Sequence, residues 1–195
     1  SYMQAIIRYE LVINEALRSA LMLDTPDEQI YEFIRFFGKH IGCDRIYIFE
    51  DNKKEHVTDN TYEWCRQGIE SEMDYLQGVD MDIIDWWYKS FDKKENVIIR
   101  DVETIKNEHV YTYNTLKIQN VKRLVVWPIR YKNENSGIFG VDNPPIDDHL
   151  GLTTFLDMIA TLVISFLKIR NSQNKSKREA KLSGYSALGQ IYTSM

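Results

Sequence analysis

One short segment constrains the fold more than any other part of the sequence. Residues 45–50 read Arg-Ile-Tyr-Ile-Phe-Glu, a run that is too short for a helix and rich in β-branched and aromatic side chains. Both of its faces are apolar, which is typical of a central strand covered on two sides. A polar turn at 51–55 and a second strand-like segment at about 56–65 follow it. The sequence therefore predicts a β-hairpin inside a layered domain.

Amphipathic helical patterns lie on both sides of this hairpin. Residues 1–23 carry an apolar residue every three or four positions, and Thr25, Pro26 and Glu28 have the spacing of a capping box that starts a second helix. A further helix is predicted at about 147–170. Short strands are predicted at 97–99, 123–130 and 138–142, and Pro128 indicates an edge or a bulge. This order predicts an α+β domain around an antiparallel sheet.

Composition narrows the class of partner. The chain has 195 residues, of which 44% are apolar and 12% aromatic, and this is enough to fill one core. The formal net charge is -5 and no basic block has the size of a nucleic-acid groove, so we expect no nucleic acid as partner. The longest apolar stretch, 155–167, is interrupted by polar residues and is shorter than a membrane span, so we expect no membrane either. Two cysteines without a CxxC pair suit a cytoplasmic location.

Three local features resemble the GAF family. They are the hairpin at 45–64, the strand that ends in Trp127-Pro128-Ile129, and the segment at 137–143, Gly-Ile-Phe-Gly-Val-Asp-Asn, that leads into the last helix. The likeness covers about residues 24–170. It implies a central antiparallel sheet of five to six strands, with the N- and C-terminal helices on one face and short helices and loops over the other. Residues 1–23 would be a signalling or dimerisation helix, and 171–195 a linker and the start of a further domain.

The resemblance also implies where a ligand would lie, namely between the sheet and the loops and short helices that cross it. The candidate pocket residues that match this wall are Tyr62, Trp64, Trp87, Phe91, Ile99, Trp127 and Ile129. Alternatively, these side chains simply fill the core. The sequence requires no cofactor and does not identify a small-molecule partner.

Two specialised activities of GAF-like domains lack their residues here. Members that bind cyclic nucleotides carry an Asp-Glu pair downstream of a Phe, whereas Phe139 is followed by Asp142 and Asn143. Members that attach a bilin use a Cys next to a His, and neither Cys43 nor Cys65 has such a neighbour. We therefore expect neither cyclic-nucleotide binding nor bilin attachment.

A small thiol-dependent redox enzyme of the same fold, of the methionine sulfoxide reductase type, is the alternative function. It would need a reactive thiolate near the pocket, for which Cys65 is the better placed cysteine. No metal-binding spacing of histidines and no hydrolase, kinase or dehydrogenase motif occurs. We therefore expect a non-catalytic sensory or regulatory module.

The first and last helices predict a dimer. Our hypothesis is a parallel homodimer whose helices pack within and across subunits and relay a signal to a fused output domain, such as a diguanylate cyclase or a histidine kinase. The candidate interface residues are Ile6, Ile13, Leu17, Leu21, Phe155, Leu162, Phe166 and Ile169. Alternatively, these stripes pack only on their own sheet. A PAS-like domain is a further structural alternative, disfavoured by the helical lead-in and by the position of the long last helix.

Overall fold

The computed structural model describes residues 1–145 and 149–194. The predicted helix start near Asp147 lies outside these residues. The helices are α1 (Tyr2–Leu21), α2 (Pro26–Ile41), α3 (Asp85–Asp92), α4 (Val110–Ile118) and α5 (His149–Ser194). The strands are β1 (Arg45–Asn52), β2 (Val57–Cys65), β3 (Val79–Asp80), β4 (Val97–Ile99), β5 (Leu124–Tyr131) and β6 (Glu134–Asp142). Short 3₁₀ turns lie at Met73–Tyr75, Met81–Ile84 and Val102–Ile105.

The strands form one antiparallel sheet in the order β3-β2-β1-β6-β5-β4. Strand β1 lies in its middle, paired with β2 and β6, as its two apolar faces predict. The two-residue strand β3 was not predicted, because two residues carry no periodicity. Pro128 lies on the open edge of β5, since β4 pairs only with residues 124–126. The edge position predicted for this proline is confirmed.

Helices α1, α2 and α5 cover one face of the sheet and close a large apolar core. The Thr25 hydroxyl accepts a hydrogen bond from the Glu28 amide, and the Glu28 carboxylate accepts one from the Thr25 amide. The predicted capping box therefore starts α2. The Phe155 ring stacks on Tyr9 with 4.3 Å between ring centroids and meets Phe37 edge-on at 5.3 Å. These aromatic contacts tie all three helices together. Because α1 shares this core, the predicted boundary at residue 23 separates two helices that pack as neighbours.

Shorter elements cover the opposite face. Helices α3 and α4, strand β4 and the 3₁₀ turns form a second cluster with the inward residues of the sheet, among them Trp87, Phe91, Leu116 and Val126. The terminal helices on one face and short helices on the other confirm the α+β architecture expected from the sequence.

Helix α5 is longer than predicted. Its 46 residues span about 70 Å, whereas the sequence pattern predicted an end near Arg170. That end followed the apolar periodicity, which fades at Arg170, and the polar residues beyond it were compatible with either a solvated helix extension or a linker. The structure has the extension, since no proline follows and residues 175–182 are strong helix formers except Ser176. Every described side chain from 171 to 189 is exposed, so this half of the helix extends without packing on the sheet.

Within the described residues, one helical segment, Leu152–Ser186, is long and apolar enough to cross a membrane by length and composition. The longest apolar stretch that the sequence shows, 155–167, covers only part of this segment. In the structure, Phe155, Ile159 and Val163 of this segment are buried in the core on the sheet.

Candidate functional site: a cavity under the short helices

A cavity of about 380 Å³ lies between the sheet and the short helices. Its floor comes from β1, β2 and β6, and its roof from the Met81–Ile84 turn, α3, α4 and the loop after β2. The floor residues are Arg45, Tyr47, Phe49, Thr58, Asn60, Glu63, Ile138 and Asp142, and the roof includes Ile83, Ile84, Trp87, Thr112, Thr115 and Leu116. A volume in this range suits a small organic molecule.

A β-bulge decides which side chains of β2 reach the cavity. Ile48 pairs with Tyr62 but the next residue of β1, Phe49, pairs with Asn60, so Thr61 is an extra residue in β2. The alternation of side chains is therefore reversed at this point. Asn60 and Thr58 line the cavity, whereas Tyr62 belongs to the core under the long helices.

Because of the bulge, Tyr62 and Trp64 do not line the cavity, where the sequence predicted them. Their shared face was correctly predicted from the period of two, but that face packs on the long helices and not on the cavity. Trp64 lies directly on Gly38 of α2, where a Cβ atom would come within 2.1 Å of the indole ring. The lack of a side chain on Gly38 is what lets this helix approach β2.

Two further pocket candidates also face the long helices. Trp127 and Ile129 alternate with the cavity-side residues of β5 and lie in the core with Phe139. Trp87 lines the cavity as predicted, with 6% of its surface exposed. Phe91 and Ile99 pack in the cluster on the cavity side without lining the cavity. The single aromatic wall predicted from sequence is therefore divided between the two faces.

A buried ion pair closes one end of the cavity. Arg45 Nη1 lies 3.4 Å from Asp142 Oδ2, and only 5% and 3% of these residues are exposed. The guanidinium also donates from Nε and Nη2 to the Glu70 carbonyl, at 3.2 and 2.9 Å, and from Nη1 to the Gln119 carbonyl, at 3.4 Å. Its Nη2 atom lies 3.7 Å from the Glu72 carboxylate. Arg45 thus pins the loop after β2 and the end of α4 to the sheet.

Burial dominates the electrostatics of Asp142. Desolvation raises the pKa of this carboxyl to about 7, although Arg45 and the Tyr47 hydroxyl act in the opposite direction. Tyr47 lies near the carboxylate without a well-aligned hydrogen bond to Oδ1, which has no such partner among the described residues. The Tyr47 ring rests on Gly140, where a Cβ atom would come within 2.1 Å of it.

Two more buried polar atoms of lining residues have no hydrogen-bond partner in the described part of the chain. They are Oδ1 of Asn60 and Nε1 of Trp87. The Asn60 amide nitrogen is fixed by the carbonyls of Ile48 and Tyr62, both at 3.0 Å, across the bulge. The cavity therefore combines apolar walls with a few fixed polar groups, as ligand sites do.

Comparisons with known proteins identify the fold. No family model and no curated protein matches the sequence. Among solved structures, the GAF domain of a phosphoenolpyruvate-protein phosphotransferase from Coxiella burnetii has a TM-score of 0.68 at 9% identity, covering 87% of this chain and 98% of that one. The phycoerythrobilin-bound GAF domain of a cyanobacterial phytochrome has a TM-score of 0.67 at 15% identity, covering 86% and 98%. This chain has the GAF fold. The matching Acinetobacter phosphotransferase GAF domain has a TM-score of 0.64 at 9% identity, covering 86% and 98%.

The cysteines of this GAF fold give the redox alternative no support. Burial, and then the charge of Glu63, raise the pKa of Cys65 to about 12, and burial raises the pKa of Cys43 well above its ordinary value. Neither residue lines the cavity. A thiol with a raised pKa holds little of the thiolate form that a redox mechanism needs at neutral pH.

One histidine, His56, lies at the border of the cavity, because its neighbour Asp80 belongs to the lining. One cluster could hold a metal ion within the described residues, formed by the exposed side chains of His56, Asp80 and Asp82. His56 Nε2 lies 2.8 Å from Asp82 and 3.9 Å from Asp80, and the hydrogen bond to Asp82 raises the pKa of the imidazole. Exposed acidic groups often lie this close without an ion, so we assign this cluster no function.

The candidate interface residues of α1 and α5 fall into a buried or partly buried group and an exposed group. Ile13, Phe155 and Phe166 are buried inside this subunit, and Leu17 and Leu162 pack against the same core. Leu21 and Ile169 are 61% and 47% exposed. The side chain of Ile6 lies outside what the structure describes. Residues of both helices thus share one core within the subunit, and the buried ones have no free surface for contact across subunits.

The polar residues of the cavity floor were not predicted from the sequence. Arg45, Asp142 and Asn60 are charged or polar residues in strands, and only the tertiary pairing of β1 with β2 and β6 brings them beneath the same roof. One signal was available: Tyr47 and Phe49 alternate with Ile46 and Ile48, so two different sets of side chains had to face two different layers.

Proposed function

We propose that this chain is a non-catalytic sensory module that takes a small molecule into the cavity and passes its occupancy to helix α5. The observation that carries the proposal is the connection between cavity floor and helix. Phe49 lines the cavity, and the next residue, Glu50, receives two hydrogen bonds from Arg170 of α5, at 2.5 and 2.9 Å. A change in β1 at the cavity therefore acts on the point where α5 leaves the domain.

A second contact fixes the same helix to the bulge of β2. Arg170 Nη1 donates to the Tyr62 hydroxyl at 3.2 Å, and that hydroxyl donates to Asp27 at the start of α2. Tyr62 directly follows the extra residue Thr61, and Asn60 of the cavity precedes it. Each of these two adjoining strands thus carries cavity-lining residues and, close by, a hydrogen-bond partner of Arg170. We propose that ligand binding shifts these contacts between two arrangements, as a relay requires.

Similar structures support a ligand-binding role for this fold. One solved structure similar to this chain carries biliverdin, with a TM-score of 0.65 at 13% identity, and the cyanobacterial domain carries phycoerythrobilin. Neither cysteine of this chain lines the cavity, so the proposal concerns a non-covalent ligand other than a cysteine-linked bilin. Free thiols at Cys43 and Cys65 fit the cytoplasmic location that we propose.

The proposal extends to a parallel homodimer and a fused output domain, such as a diguanylate cyclase or a histidine kinase. An apolar stripe on α1 supports the dimer: Met3, Ile7 and Leu11 follow one another at steps of four and are 69%, 54% and 59% exposed. The exposed half of α5 is a second candidate surface, with Leu182, Tyr185 and Leu188 more than half exposed. A long helix without cover is expected to pair or to bridge domains.

Ligand binding can be tested with a fragment library. Saturation-transfer NMR should detect fragments that bind the wild-type chain and lose their signal with Thr115→Tyr, which fills the cavity from α4. Glu179→Gln, an exposed change on α5, is the control and should keep every hit. If no fragment signal depends on the cavity, the sensory proposal is wrong.

The relay can be tested with the best fragment. Hydrogen exchange of amides at 165–180 should change when the fragment binds wild type, and Arg170→Gln should remove that change while binding persists. If the exchange rates of the α5 amides in wild type are the same with and without the fragment, the relay is contradicted.

The dimer can be tested by light scattering. We expect a dimer at high micromolar concentration that Leu11→Glu converts to a monomer, because a charge would enter the apolar stripe. Gln67→Glu, at an exposed turn outside α1 and α5, adds the same charge away from the stripe and should leave the dimer intact. A monomeric wild type would remove this part of the proposal.

A further inference from the structure

The charges that line the cavity select one class of ligand. Among the described lining residues, Glu63, Glu72 and Asp80 are acidic and lie outside the buried Arg45–Asp142 pair, and none is a lysine or histidine. Field lines from such a lining favour positive charge inside the cavity.

Arg45 is not available to an anionic ligand. Its guanidinium already donates to two backbone carbonyls and to Asp142, with Glu72 close by. It is also 5% exposed, so it cannot turn toward a guest without losing these partners. A carboxylate or phosphate entering the cavity would meet acidic groups and find no free cation.

Acceptors, in contrast, are available. Oδ1 of Asn60 and Oδ1 of Asp142 have no well-formed hydrogen bond among the described residues, and these residues are 1% and 3% exposed. They lie toward opposite ends of the floor, because Asn60 lies beside Phe49 and Asp142 beside Arg45, four residues apart along β1. Buried acceptors without partners favour a guest that brings N–H donors.

The aromatic side chains of the lining also favour a cation. Tyr47, Phe49 and Trp87 form the walls, and aromatic faces attract organic cations as well as apolar groups. Resting on the proposed function, we infer that the ligand of this cavity is a small organic cation, an amine or amidinium on an apolar or aromatic body, and not an anion such as a nucleotide.

Three probes of one shape test this inference. Benzamidine, benzamide and benzoate share a ring and differ in charge at one group. Titrated into the full chain, benzamidine should bind about tenfold more tightly than benzamide, and benzoate should not bind. Amide shifts of Tyr47, Asn60 and Thr115 in the wild-type chain locate the binding site independently of any variant.

Variants then assign the preference to the lining charges. Glu72→Gln removes one lining charge at a side chain that is only 21% exposed, and it should reduce the preference for benzamidine over benzamide. Glu179→Gln removes a charge outside the cavity and should leave the preference unchanged.

The outcomes separate two kinds of failure. Benzoate binding in the cavity as tightly as benzamidine, or a preference that Glu72→Gln leaves intact, would overturn the charge assignment and leave the sensory proposal standing. If none of the probes shifts the cavity amides and the fragment screen also fails, both proposals are overturned.

Discussion

The two faces of the sheet are built from the same strands and are covered in different ways. Under α1, α2 and α5 the inward residues meet long helices, and Phe33, Phe37, Phe139 and Ile159 are completely buried. Under α3 and α4 the cover consists of helices of eight and nine residues joined by 3₁₀ turns, and a cavity remains directly on the strands. The space of about 350 Å³ on the other side lies between the helices and is lined by no strand residue. Short elements present too little apolar surface to fill the space above the central strands.

The difference separates the face that stabilises the domain from the face for which we propose ligand binding. The closed face carries the aromatic packing between α1, α2 and α5, whereas the open face contains the buried Arg45–Asp142 pair and polar atoms without partners. Buried polar groups without partners are costly, so they persist where a bound molecule can satisfy them. Side chains of β1 point into both faces, so we expect a change at the cavity to reach the long helices through this strand.

The largest effect is expected when an isoleucine side chain is truncated to alanine, and the two faces should differ in its cost. Ile159→Ala on the closed face should lower the free energy of unfolding by about 4–5 kcal/mol, near the upper end for such changes. Ile84→Ala should cost about 2–3 kcal/mol, because Ile84 already borders the cavity and loses fewer contacts. Urea denaturation measures both. Equal losses would show that the cavity is closed in solution and that the contrast between the faces is wrong.

A smaller effect is expected from overfilling the closed face. Gly38→Ala places a methyl group against the Trp64 ring, and we expect a loss of about 1–3 kcal/mol. Trp64→Leu should relieve the clash, so that adding Gly38→Ala to this variant costs less than it does in wild type. The double-mutant cycle checks the contact. Simple additivity would mean that α2 and β2 do not approach as closely as described.

The smallest effect, counted per pH unit, concerns the pH dependence of the open face. Because the pKa of Asp142 is raised to about 7 in the folded chain, the folded state holds a proton between about pH 4 and 7 that the unfolded state has released. Stability should therefore fall as pH rises through this window, by at most about 1.4 kcal/mol per pH unit.

Replacing the Asp142 carboxyl tests whether this group causes the predicted loss of stability with rising pH. Asp142→Asn should flatten the slope of unfolding free energy against pH, while Asp157→Asn, at an exposed position of α5, should leave it as in wild type. A slope that Asp142→Asn does not change would indicate that this carboxyl stays ionised, and that the buried pair with Arg45 outweighs its desolvation.

Local chemistry in the sequence determined most of the closed face. The capping box of Thr25 and Glu28, the apolar stripes of the long helices and the two apolar faces of β1 each act over a few residues, so their structural outcome can be predicted without the rest of the chain. The same local signals predicted the order of the elements and hence the fold.

The tertiary structure alone decided which side chains form the site. One extra residue, Thr61, turns Tyr62 and Trp64 away from the cavity and Asn60 toward it, and a bulge has no periodic signal in the sequence. Arg45 and Asp142 are 97 positions apart and become partners only because β6 pairs beside β1. Periodicity reports which residues share a face of one strand, whereas strand pairing and bulges decide what each face meets.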